Sequence, residues 1–286
     1  MKDFRDRVAV VTGAASGIGR GMAERFAAEG MRVVLADVEG SALDAAALEM
    51  GAAGALVLAV RTDVSDAAQV EALAGAAYDA FGAVHVLCNN AGVATGGLCW
   101  EQTLDDWRWV VGVNLWGVIY GIHSFVPRMI AGGEEGHVVN TASVAGLISG
   151  PGSAPYAVTK HGVVALSETL HHQLAMVGSR LRVSVLCPGW VNTRILESGR
   201  NRPPELAETH AYGTTPEMQT AFAKLVTDGM APSEVARQVF EAVRDERFYV
   251  ITHPEMKALV ERRLRDIVDG RNPQAPAMPG LPARSR

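Results

Sequence analysis

Val8-Ala9-Val10-Val11-Thr12-Gly13-Ala14-Ala15-Ser16-Gly17-Ile18-Gly19 is the stretch that decides the fold. Its first half is an unbroken apolar run, the pattern of a strand covered on both faces rather than on one. The glycines that follow permit a tight turn and a close approach of the backbone to a ligand, ahead of a helix expected to begin near Arg20. A glycine trio by itself specifies little. Its context adds weight: a strand before, a helix after, and Asp37 at the end of the next strand, 18 residues past Gly19.

Working outward, short β-branched runs alternate with longer Ala-rich segments, as in repeated βαβ units. Seven strands are expected, at Val8 to Thr12, Arg32 to Ala36, Leu56 to Arg61, Val84 to Asn89, His137 to Thr141, Arg182 to Cys187 and Phe248 to Ile251. The fold class is therefore α/β, a Rossmann-like doubly wound, seven-stranded parallel sheet with helices on both faces. Ser65 reads as the N-cap of a helix from Asp66 to Phe81, and Gly30 and Gly82 each follow a helical stretch. Between Thr103 and Ile130, residues Trp107, Val111, Val118, Ile122 and Phe125 share a helical face that also carries the polar Asn114. From Tyr156 to Val177, Val163, Leu166, Leu170 and Leu174 make a second stripe. Residues 1–270 read as one dinucleotide-binding and catalytic unit. Asn192 to Met230 is too long for an ordinary connection and reads as a substrate lid, and residues 271–286, with four prolines, read as a mobile tail.

Composition narrows the partners. The 286 residues are 48% hydrophobic, and 26 Lys and Arg against 31 Asp and Glu leave a net charge of -5, which disfavours nucleic acid or an anionic membrane. Cys88, Cys99 and Cys187 are too few and too scattered for a disulfide framework, and the eight histidines show no ligand spacing, so no metal is expected. The charged amino terminus runs into an apolar segment too short for a signal peptide, and no apolar run approaches the length of a membrane span. A cytoplasmic protein is the expectation.

Four further groups sit where ligands of such sheets bind, beyond the carboxyl ends of the strands. In the Gly13, Ser16, Gly17, Ile18 and Gly19 turn, bare backbone and a helix N-terminus suit a pyrophosphate. Asp37 can accept both hydroxyls of an adenosine ribose and would repel a 2′-phosphate, which favours NAD over NADP, although Arg20 beside the turn could hold a phosphate. Asp63 and Val64 close the third strand, Asp63 accepting from an adenine amino group or capping the next helix. Asn89, Asn90, Ala91 and Gly92 close the fourth. Tyr156 and Lys160, four apart, share one face at the start of a helix, and Ser143 follows the fifth strand. A neighbouring ammonium favours the phenolate, and a positively charged nicotinamide adds to that. Tyr156 can then exchange a proton with an alcohol, while Ser143 holds the same oxygen.

In this order, over roughly Arg7 to Ile251, these motifs resemble the short-chain dehydrogenase/reductase family in its single-domain branch. The resemblance implies catalytic roles for Asn114, Ser143, Tyr156 and Lys160, with Asn114 helping to hold a water next to the lysine. It also implies cofactor contacts from Pro188, Gly189, Val191 and Thr193, the last two at the nicotinamide carboxamide and the diphosphate. Trp190, Leu147, Leu196, Trp100 and Ala94 are candidate pocket walls. The run from Asn114 to Val118 and that from Phe125 to Met129 are similar to those of bacterial oxidoreductases acting on alicyclic and aryl-substituted secondary alcohols. The expected activity is thus NAD-dependent interconversion of a secondary alcohol and its ketone on a small to medium hydrophobic, alicyclic or aryl, molecule. The alternatives are a non-catalytic dinucleotide sensor or scaffold, and an NADPH-dependent carbonyl reductase. The two long helices imply a homodimer or homotetramer. Phe248 to Glu255 lacks the Thr-Gly and Asp-Gly-Gly pattern of many tetrameric members, which speaks against that tetramer and against a fatty-acid-synthesis ketoacyl reductase.

Overall fold

The computed structural model describes residues 1–206 and 215–274. All seven expected strands are present: β1 Val8–Thr12, β2 Arg32–Asp37, β3 Val57–Arg61, β4 Val86–Asn89, β5 Gly136–Thr141, β6 Leu181–Cys187 and β7 Tyr249–Ile251. They pair in parallel in the order β3-β2-β1-β4-β5-β6-β7, the Rossmann-like arrangement. Among the described residues the helices are α1 Gly17–Ala28, α2 Gly40–Ala52, α3 Ala67–Phe81, α4 Leu104–Val111, α5 Gly117–Gly132, α6 Ala154–Met176, α7 Pro216–Thr227, α8 Pro232–Asp245 and α9 Lys257–Val268.

Alternation along the strands feeds two cores. Ala9 and Val11 of β1 pack with Met22 and Phe26 of α1, Leu43 of α2 and Val239 of α8. Val8 and Val10 face the other way, onto Leu73 of α3, Phe125 of α5 and Leu170 of α6. Both faces of the sheet are covered, which is why its strands read as continuous apolar runs.

Three local readings are corrected. Helix α1 begins at Gly17, three residues before Arg20. The N-cap of α3 is Asp66, whose carboxylate accepts from the backbone N–H of Ala68 and Gln69, while the Ser65 hydroxyl donates to Asp63 instead. Helices α4 and α5 are joined by a π-turn over Gly112–Trp116. That turn adds one residue to the helical count, so the buried stripe upstream of it is Asp106 and Val110 rather than Trp107 and Val111. Downstream, Val118 and Phe125 are buried as expected, and Asn114, inside the π-turn, is completely buried.

Contrary to the expectation that no apolar run approaches the length of a membrane span, the joined helix Leu104–Gly132 is long and apolar enough to cross a membrane by length and composition; half of its most apolar window is buried within the protein. The segment from Asn192 to Met230 starts and ends on itself. Asn192 N–H donates to Met230 O (3.0 Å) and Met230 N–H to Trp190 O (3.0 Å), closing a loop that contains a 3-10 turn over Ile195–Asn201 and helix α7. Residues 207–214 of that loop, and residues 275–286 of the expected tail, lie outside the described residues.

Candidate active site

The chain leaves β1 and β4 in opposite directions along the sheet, so their carboxyl ends open a crevice between them. Two contacts shape it. Gly13 has φ +67°, and a Cβ there would lie 2.9 Å from Ala91 Cα; a Cβ on Gly19 would lie 2.0 Å from Gly13 O. Asn90 ties three strand ends together: its N–H donates to Thr12 Oγ1 (2.9 Å), its Nδ2 to Thr12 O (2.9 Å), and its Oδ1 accepts from Thr141 Oγ1 (3.2 Å). Above them lies a cavity of about 350 Å³. Gly13, Ser16, Gly17, Ile18, Asp37, Asp63, Val64, Asn90, Ala91, Gly92, Ser143, Tyr156, Lys160, Pro188, Gly189, Val191 and Thr193 all line it. Gly19 and Asn114 do not; they stand behind the wall and support it.

One end of the cavity is built for a dinucleotide. Ser16 caps α1 without a side-chain hydrogen bond, so the first N–H groups of the helix are left for an anion, and Ser16, Gly17 and Ile18 face the cavity. Asp37 Oδ2 accepts from Ala15 N–H (2.9 Å) and Oδ1 from Glu39 N–H (3.0 Å), which orients the carboxylate and leaves acceptor capacity on both oxygens. Burial pushes the Asp37 carboxyl above its ordinary value, against those two bonds. Asp63 Oδ1 accepts from the N–H and hydroxyl of Ser65 and does not cap α3. The bare turn, the open helix end and the oriented carboxylate fit a dinucleotide cofactor.

At the other end, Ser143 and Tyr156 both line the cavity, with the serine hydroxyl near enough to the phenol to hold its pKa down. Ser143 Oγ also accepts from Ala145 N–H (3.1 Å) and reaches Pro188 O (3.4 Å). Behind them Lys160 Nζ donates to Thr141 O (2.8 Å) and stands 5.5 Å from the centre of the Tyr156 ring. Helix α6 sets this spacing; its N-cap Ser153 places Tyr156 and Lys160 in its first two turns. Burial pushes the Tyr156 phenol up, with the Ser143 hydroxyl opposing it, and pushes the Lys160 ammonium down to about 8. Sequence reasoning expected the ammonium to favour the phenolate; in the folded chain, desolvation is the larger influence on both groups. Asn114 Oδ1 accepts from Val93 N–H (2.8 Å), and its Nδ2 donates to Val93 O (2.9 Å). Its side chain thereby fixes the backbone just after Gly92 to the π-turn.

A model of the short chain dehydrogenase family matches residues 7–203. The chain belongs to this family. A crystal structure of a short-chain dehydrogenase/reductase from Burkholderia phymatum in complex with NAD has a TM-score of 0.93 and 46% identity, covering 97% of this chain and 100% of that one. The 1-deoxy-11-beta-hydroxypentalenate dehydrogenase of Streptomyces exfoliatus is 40% identical over 268 residues, 93% of this chain and 88% of that protein. The C alpha-dehydrogenase of a Sphingobium strain is 34% identical, covering 94% and 88%. The protein is an oxidoreductase of the alcohol dehydrogenase class that takes a nicotinamide dinucleotide.

The walls of the dehydrogenase pocket are only partly those expected. Trp190, Leu196 and Ala94 line it. Leu147 packs instead with Val163 and Val164, and Trp100 is 80% exposed. Trp109, Ile148, Val226, Met256 and Leu259 were missed. Met256 and Leu259 stand three apart where the chain enters α9, but the helix also carries Val260, Leu264, Ile267 and Val268, so the pattern did not single them out. Arg200 was missed too: it pairs with Glu39 (2.7 Å), a partner 161 positions away that no local pattern reveals. Arg20 does not line the cavity and bonds to Glu24 and Glu49. Among the described residues no group of three or more His, Cys, Asp or Glu is placed to hold a metal.

Lys160 is 3% exposed, and its amine is held well below the 10.5 of an unfolded chain. Its burial therefore destabilises the fold fully below about pH 8, and the effect fades as the pH rises toward 10.5. Lys160→Met is expected to be the more stable protein at pH 7, by on the order of 1–3 kcal/mol in denaturant unfolding, with the gap closing toward high pH. A variant less stable at every pH would show that the bond to Thr141 O outweighs the buried charge.

Proposed function

We propose that this dehydrogenase uses NAD to oxidise a secondary hydroxyl on a small or medium alicyclic or aryl molecule, and reduces the ketone in reverse. The observation that carries the reading is the convergence of Ser143 and Tyr156, backed by Lys160, on a cavity walled by Trp109, Trp190, Leu196, Met256 and Leu259. One relative's name specifies a hydroxylated substrate, and the class is carried over from it. NAD in place of NADP is supported by Asp37 at the ribose position. It is also supported by the pairing of Arg194 and Arg200 on the same rim with Glu197 and Glu39, which leaves neither as an unpaired partner for a 2′-phosphate.

Gly13, Ser16, Gly17 and Ile18 would hold the pyrophosphate, Asp37 the ribose, Asp63, Val64, Asn90, Ala91 and Gly92 the adenosine side, and Pro188, Gly189, Val191 and Thr193 the nicotinamide side, with Gly19 clearing the turn. Bound NAD supplies the acceptor for the hydride that leaves the carbinol carbon. The phenolate of Tyr156 takes the hydroxyl proton as the carbon–oxygen double bond forms. Ser143 donates to the same oxygen and stabilises its developing charge. Lys160 favours the ionised tyrosine and holds the ribose. Asn114 keeps the π-turn and the Gly92 backbone in register beside the lysine, where a water completes the path of the proton to solvent. The segment from Asn192 to Met230 acts as the substrate lid.

Nicotinamide absorbance, followed over a panel of aliphatic, alicyclic and benzylic secondary alcohols with NAD and NADP in parallel, tests the reading. Tyr156→Phe should lower turnover by about 10²- to 10⁴-fold with NAD binding retained; an unchanged rate would remove the tyrosine from the chemistry. Asp37→Ala should shift the NAD-over-NADP preference by about tenfold or more toward NADP, as expected on losing bonds to a charged group. An unchanged ratio would take Asp37 out of its role. Turnover with no member of the panel, with binding intact, would favour a dinucleotide sensor.

A homodimer is part of the proposal. The π-turn leading into α5 bares Trp116, stacked on Tyr120 of α5 at 5.4 Å, on a face its own chain leaves partly exposed. Light scattering is expected to return a dimer, and a monomer at micromolar concentration would refute it.

A further inference from the structure

His253 follows β7 and is 9% exposed, in a position the resemblance did not assign. Its ring packs onto the turn after β6 so closely that a Cβ on Gly189 would lie 2.9 Å from His253 Cγ and 2.8 Å from Met256 Sδ. Gly189 N–H donates to His253 Nδ1 at 3.1 Å. Because an N–H can only donate, Nδ1 carries no proton and the ring's proton sits on Nε2. Thr252 Oγ1, 2.7 Å from Nδ1, then donates to it as well.

The Gly189 N–H belongs to the same rigid peptide plane as Pro188 C=O. That carbonyl accepts from Val144 N–H at 2.9 Å and, more distantly, from the Ser143 hydroxyl at 3.4 Å. One plane is thus held at both edges, by an imidazole on one side and by the serine loop on the other. The serine has one proton to give, and the Pro188 carbonyl competes for it with the substrate oxygen. At 3.4 Å the competition is weak, and rotation of the plane would either tighten that contact or remove it.

We propose that His253 is a positioning residue for Ser143: through the Pro188–Gly189 peptide it sets how far the competing carbonyl stands from the serine hydroxyl, and so keeps that proton available to the substrate. The inference rests on the proton-transfer reading of Ser143 and Tyr156. It adds a link between the end of the sheet at β7 and the reacting oxygen. Although Pro188 and Gly189 also line the cavity on the nicotinamide side, the loss expected on removing the imidazole falls more on kcat than on the KM for NAD.

The test compares His253→Ala, His253→Asn and His253→Gln in the full chain, with folding checked by circular dichroism. Asn can offer its oxygen near the position of Nδ1, whereas Gln places its polar atoms near Nε2. With the best alcohol of the panel, Ala and Gln are expected to lower kcat about tenfold while KM for NAD changes less than about threefold, and Asn to recover most of the rate. Equal loss in all three variants, or no loss in Ala, would overturn the proposal. So would ¹⁵N-histidine NMR of the parent, with the His253 signal assigned by its absence in the Asn variant, if it showed the proton on Nδ1. The NMR result does not depend on the substrate, and Tyr156→Phe tests the proton-transfer reading separately.

Discussion

Gly13 O stands 2.0 Å from where a side chain on Gly19 would begin, and Ala91 Cα stands 2.9 Å from where one on Gly13 would. Everything at the cofactor end of the site follows from that closeness. The turn must be bare, so the backbone itself is the binding surface. The first turn of α1 then starts directly under it, with N–H groups that no side chain caps. Packing Gly13 against Ala91 also brings the ends of β1 and β4 together, and Asn90 locks them there through Thr12. A larger residue at either glycine would spread the strands and open the crevice from its floor.

The reactive end obeys a different constraint. Burial moves the phenol of Tyr156 up and the amine of Lys160 down, so both drift toward their neutral forms. For the proposed proton transfer, something must oppose that drift. The chain supplies part of it: the Ser143 hydroxyl lowers the phenol, and the Thr141 carbonyl accepts from the amine. A cationic ring bound alongside would lower the phenol further while working against the ammonium, and for that reason cofactor binding and tyrosine ionisation are expected to be coupled in this site.

What could be read in the sequence was local. The strands announced themselves as apolar runs, and the glycine turn, Asp37 and the Tyr156 and Lys160 pair are fixed by short spacings along one strand end or one helix face. The doubly wound parallel class followed from the βαβ alternation, whereas the order of the seven strands came only with the structure. What escaped was set by geometry between distant segments. The π-turn at Gly112–Trp116 leaves no compositional mark, yet it displaces the buried stripe of α4 by one residue. Asp66 rather than Ser65 caps α3, because adjacent polar residues both suit a cap and only the turn geometry chooses between them. The pocket walls were the least legible. A tryptophan such as Trp109 reads as core whether or not one of its faces meets a cavity, and Trp100 shows that an aromatic near the site can simply face solvent.

The wall from Asn192 to Arg202 joins the two ends of the site. Thr193 packs on Gly17, Ser198 Oγ accepts from Ala94 N–H (3.2 Å), and Arg200 and Asn201 both donate to Glu39, beside Asp37. One residue further on, Arg202 pairs with Asp106 (2.8 Å) and lies 5.1 Å over the Trp109 ring. These anchors differ in strength. Asp106 and Arg202 are 0% and 6% exposed, and breaking such a buried pair costs about 3–5 kcal/mol. Glu39 and Arg200 are 21% and 24% exposed, where solvent screening leaves an ion pair a smaller contribution. The anchor at Asp106 is therefore the stronger of the two, and the one at Glu39, next to Asp37, the weaker.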